Sequence, residues 1–141
     1  MNSKKFLFAL LGGFLVMWLL AGLWHVLIMG DFYAKYAGPS TFEEPKLLFI
    51  ALGYAILALL MVYIYIQGYK GGSPLKEGLR FGVLMGLLWI LPINVVMFGV
   101  REISSTVIVV DVIWHLVEQG VGGIVIGLIY GSMKSGEETS S

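Results

Sequence analysis

Apolar residues fill four runs of this chain, at 6–29, 47–66, 81–100 and 107–130. A helix rises about 1.5 Å per residue, and the hydrocarbon core of a bilayer is about 30 Å thick, so about 20 apolar residues suffice to cross it. Each run has that length. Backbone groups in lipid must be satisfied within the segment, which makes the helix the expected conformation. The sequence therefore predicts an all-α protein, a membrane-spanning up-and-down four-helix bundle with helices at 6–29, 47–67, 78–100 and 107–131. One transmembrane domain is expected over residues 1–134, followed by a disordered polar tail at 135–141.

The chain is 58% hydrophobic and 13% charged, where soluble domains carry about 25% charged residues. Its formal net charge is zero, so it lacks the electrostatic footprint of a nucleic-acid binder, and the lipid bilayer is the partner implied. With no cysteine, disulfides, thiolate metal ligands and thiol redox chemistry are excluded. Lys4 and Lys5 before the first run imitate a signal peptide. The run exceeds the roughly 7–15 residues of such segments and shows no A-x-A-like cleavage site, so it is read as a retained first helix.

Basic residues near helix ends set orientation. Lys4, Lys5, Lys70, Lys76, Arg80 and Lys134 fall on one side, and Lys35, Lys46 and Arg101 on the other. The bias predicts a protein of the cell (inner) membrane with both termini and the 68–74 connection in the cytoplasm. The 30–46 loop and the turn at 101–106 then face outward. Pro74 after Ser73 suggests a helix start with Ser73 as cap. Asp31 and Glu102 read as solvated loop charges. Tyr63, Tyr65, Tyr69, Phe32, Tyr33 and Tyr36 read as interfacial aromatics.

Gly78, Gly82 and Gly86 recur every four residues in the third run, and Gly123, Gly127 and Gly131 in the fourth. Small residues at this spacing form a flat stripe that lets two helix backbones approach. The expected contact joins Gly82 and Gly86 to the row Gly123, Gly127 and Gly131.

Polar residues inside a span are costly, and they carry whatever functional signal the chain has. Asp111, His115 and Glu118 are spaced four and three apart, which puts them on one face of the fourth helix. Glu118 lies about 16 Å from the outer end, near mid-bilayer, and should face the bundle interior with a polar partner. His25, Asn94 and Tyr54 come from the first, third and second helices. Asn94 follows Pro92, whose ring frees a carbonyl one turn earlier. His25 and His115 lie in the same half of the membrane, about 6 Å and 12 Å below its boundary.

The segments Gly22-Leu23-Trp24-His25, Gly30-Asp31, Tyr36-Ala37-Gly38, Glu77-Gly78-Leu79-Arg80-Phe81-Gly82, and Asp111, Trp114, Gly122 and Gly123 together resemble a bacterial family of small four-helix integral membrane proteins of unknown function. The resemblance covers most of the chain. It implies four helices and no assigned activity.

Three functional readings follow from the polar residues. In the first, Glu118, His115, Asp111, His25, Asn94 and Tyr54 line an outward-opening pocket for a small molecule, a proton or a divalent metal. In its metal version, Asp111 and His115 chelate the ion from successive turns. In the second, the protein is a structural or accessory subunit of a homo-oligomer or larger membrane complex, and the polar cluster fixes helix register. In the third, His25 and His115, each preceded by Trp, are the axial ligands of a b-type haem. Nucleophile–base arrangements and nucleotide-binding glycine patterns are not evident, so the sequence carries no enzymatic signature.

Overall fold

A computed structural model describes residues 2–36 and 44–132 of the chain. Its elements are α1 (Ser3–Gly22), a π-helical segment (Leu23–Ile28), α2 (Gly30–Tyr36), α3 (Leu47–Gly68), α4 (Pro74–Val100) and α5 (Ser105–Ser132). Four spans, with α1 and the π segment continuous as the first, are long and apolar enough to cross a membrane. The predicted tail at 135–141 lies outside the described residues.

α1 starts at Ser3, three residues before the predicted boundary, because Asn2 caps it. The Asn2 carboxamide oxygen accepts the N–H groups of Lys4 at 3.1 Å and Lys5 at 3.3 Å, two of the donors that a helix start leaves unpaired. At Leu23 the helix widens into the π form, and Met29 N–H donates to the Trp24 carbonyl at 2.8 Å. Such turns insert one residue into the helix and re-aim everything after it.

α2 corrects the expectation of a plain loop after the first span. Asp31 in its first turn and Lys35 in its last complement the helix dipole. At the other end of the bundle, the connection to α4 turns at Gly71 with φ +88°, a conformation glycine adopts without strain. α4 begins at Pro74 and Ser73 contributes no side-chain cap. The helix continues through Pro92 to Val100.

α5 lies between α1 and α4, and α3 packs mainly on α1. The order across the bundle is thus α3–α1–α5–α4. Short connections predict α3 beside α4, but the two meet only sparsely, as where Tyr65 and Phe81 bring their ring centres to 5.3 Å. The glycine stripe is the reason. A Cβ on Gly78 would meet the Gly123 carbonyl, on Gly82 the Gln119 carbonyl, and on Gly86 the His115 carbonyl. Only bare backbone permits this approach, so α4 is drawn to α5 and away from α3. Gly127 and Gly131 lie further along the seam, against Pro74.

α1 reaches the other face of α5 in a similar way. Gly12 and Gly13 make room for Val125, Ile126 and Ile129, and Gly122 makes room for Met17. Met17, Ala58, Met61, Val62 and Ile126 are fully enclosed in the core. Leucines and valines on the outer faces remain exposed, as expected where the surrounding solvent is itself apolar.

Candidate functional site

The fourth span supplies one polar face. Gly123, Gly127 and Gly131 serve α4, and Asp111, Trp114, His115 and Glu118 turn toward the first span, α2 and α3. Glu118 and Gln119 are 0% exposed. The Glu118 carboxylate takes three hydrogen bonds. Trp114 Nε1–H donates to Oε2 at 2.9 Å, the Tyr54 hydroxyl donates to the same oxygen at 3.2 Å, and Gln119 Nε2–H donates to Oε1 at 2.7 Å. Tyr54 comes from α3, so Glu118 faces the bundle and ties two helices together. A buried carboxylate is costly without such donors.

A second relay lies nearer the α2 end. Trp24 Nε1–H donates to the Tyr33 hydroxyl at 3.2 Å, and that hydroxyl donates to Asp111 Oδ1 at 2.6 Å. Burial, then the bond to Asp111, pushes the ionisation of Tyr33 well above the usual tyrosine range. Tyr33 therefore stays protonated and can donate.

The histidines meet. Their ring centres are 6.5 Å apart, although His25 lies in the first span and His115 in the fourth. His25 Nδ1 contacts the Ala21 carbonyl at 3.1 Å, and His115 Nδ1 contacts the Asp111 carbonyl at 2.8 Å. A carbonyl can only accept, so in each ring Nδ1 carries a proton, and in the neutral imidazole Nε2 is the nitrogen with the free lone pair. Neither Nε2 has a hydrogen-bond partner among the described residues.

Both rings line one cavity of about 800 Å³. It runs from Pro45 and Leu47 at the start of α3 down to Trp18 and Leu57, with Trp89 of α4 in its wall. It lies in the half of the bundle where α3 and α4 stand apart. Tyr54 also lines it, while the rest of its wall is overwhelmingly apolar.

Of the residues singled out in the sequence, His25, His115 and Tyr54 share this cavity, and Glu118 stands behind Tyr54. Glu118, Asp111 and Asn94 do not line it. Asn94 Nδ2 is enclosed without a partner among the described residues, and Asn94 is not one of the donors to Glu118. The Asp111–His115 pair does not form the side-chain chelate its spacing suggests. His115 bonds the Asp111 backbone, and the Asp111 carboxylate is held by Tyr33. Among the described residues, no three His, Cys, Asp or Glu side chains are placed to hold one metal ion.

Sequence reasoning missed Trp24, Tyr33, Trp114 and Gln119 as polar partners. The tryptophans were visible as neighbours of the histidines, and Gln119 as a second polar residue at mid-span. Tyr33 gave no signal beyond that of an interfacial aromatic.

Fold and site together define a small multi-pass membrane protein with a polar cluster and an apolar cavity at the α2 end of its bundle. No protein-family model, curated protein or solved structure matches the chain.

Proposed function

We propose that this protein binds a mainly apolar small molecule within the membrane, with His25, His115 and Tyr54 supplying its polar contacts inside the cavity. The observation that carries the reading is the pair of unpartnered histidine Nε2 atoms on one cavity of about 800 Å³. Cavities of roughly 300–1,000 Å³ with apolar walls and a few convergent polar groups are the usual form of small-molecule sites. Glu118 does not contact the ligand in this reading. It orients Tyr54 and Trp114, a support that fixes the geometry of the contacts. The charge bias supports an orientation with the termini in the cytoplasm and the cavity in the outward half.

The test uses Gly53, which lies on the cavity with nothing within 4 Å of an added Cβ. Gly53→Trp is expected to fill the cavity without disturbing the seam. Full-length protein purified in mild detergent is extracted with organic solvent, and the extract is analysed by mass spectrometry. A small molecule present in stoichiometric amount in the native protein and lost from Gly53→Trp is the expected result. Equal recovery from both proteins would argue against the cavity as the site.

A further inference from the structure

We propose that His25 and His115 are the two axial ligands of one non-covalently bound metalloporphyrin of the haem b class. This deepens the cavity reading and rests on it. The first argument is distance. Metal–imidazole bonds of about 2 Å on opposite sides of one metal put the ring centres about 6 Å apart, and the observed separation is 6.5 Å. The ring planes cross at 67°, which axial ligation allows, because each ring needs only its nitrogen on the axis.

The second argument is the state of the rings. Each Nδ1–H is committed to the carbonyl four residues earlier. Such a bond fixes the tautomer, aims the ring and raises the basicity of Nε2, the atom that would ligate. The π-helical segment gives His25 its place on the cavity wall, and π turns are frequent at functional sites.

The third argument is the donor count. A bare ion held by protein needs three or four ligands, and the described residues offer no third His, Cys, Asp or Glu at a common point. A metalloporphyrin brings four nitrogen ligands of its own and asks the protein for two. Its ring is flat and apolar. Gly22 and Gly53 leave open space on the cavity wall, and Trp18 and Trp89 offer aromatic surface. The carboxylate-bearing edge of the porphyrin would lie toward Pro45 and Leu47, at the end of the cavity beside the start of α3. The chain has no cysteine, so thioether attachment is excluded.

The experiment titrates hemin into the full-length protein in mild detergent and follows the absorption spectrum. One equivalent is expected to give a six-coordinate, low-spin spectrum with a sharp Soret band, and sharp α and β bands after dithionite reduction. His25→Ala and His115→Ala should each convert it to a high-spin form and weaken binding at least tenfold. Added imidazole should restore the low-spin spectrum in both. His25 is only half-buried, so His25→Ala remains readable if His115→Ala fails to fold. A spectrum that survives both substitutions would overturn the proposal, as would hemin uptake unchanged by Gly53→Trp. If hemin does not bind and a stoichiometric non-porphyrin molecule occupies the cavity, the haem assignment falls and the cavity reading stands. If neither binds, both fall.

Discussion

The indoles of Trp24 and Trp114 stack with ring centres 4.3 Å apart and planes within 3° of parallel. Each precedes one of the histidines in sequence. The stack fixes the first span against α5 at the level where His25 and His115 approach. One indole N–H goes to Tyr33 and the other to Glu118, so the pair also joins the two hydrogen-bonded clusters.

Replacing Trp114 by Phe should keep a ring in the stack and remove the donor to Glu118. The expected loss is about 1–3 kcal/mol, the cost of leaving a buried polar group short of a hydrogen-bond partner. Thermal unfolding in detergent would measure it. Trp24→Ala should act differently. It opens the stack, and in the haem titration it should weaken low-spin coordination while leaving both ligands in place.

Glu118→Leu should destabilise the bundle, by about 2–5 kcal/mol, because it strands the Trp114, Tyr54 and Gln119 donors in an apolar interior. Glu118→Gln retains an acceptor and should cost less. A Leu variant as stable as the native protein in a melting experiment would show that the three donors find other partners.

Gly82→Ala should be the most damaging small substitution in α4. Its Cβ would meet the Gln119 carbonyl, and backbone cannot rotate aside. A loss of about 1–3 kcal/mol is expected, as for an overpacked core. Gly99→Ala, in the same helix with nothing within 4 Å, serves as the control and should be neutral or stabilising.

Tyr33→Phe should release α2. This seven-residue helix is tied to α5 through the Tyr33–Asp111 bond of 2.6 Å, and its length is too short for stability alone. Faster amide exchange over residues 30–36 with little change in melting temperature is the expected result, read by hydrogen–deuterium exchange.

The topology can be tested with single cysteines, since the chain has none. In intact cells an impermeant maleimide should label Glu102→Cys and spare Ser73→Cys until the membrane is opened. The opposite pattern would reverse the proposed orientation.

The spans were legible because hydropathy and length decide them before any packing does. The inward direction of Glu118 was legible for an energetic reason, since a carboxylate at that depth has nowhere else to go. The helix order was not. Connection length suggested that α3 adjoins α4, whereas the glycines of α4 had a better partner in α5. α2 escaped notice because seven residues of mixed polarity carry no clear period. The π turn at Leu23 also left no pattern in composition. Its effect on where His25 points, and the donors that reach Glu118, arise only when distant helices meet.

The α4–α5 seam has a mechanical consequence. Its glycines recur every four residues, an interval of about 6 Å along a helix. Gly78, Gly82 and Gly86 stand against α5 backbone at Gly123, Gln119 and His115, so a slide of α4 that brought a bulkier neighbour to any of these places would have to part the helices. The seam therefore acts as a latch on the height of α4 against α5. The His115 carbonyl is one of the three points it holds, so the level of this histidine beside α4 is set by glycines that never touch its ring.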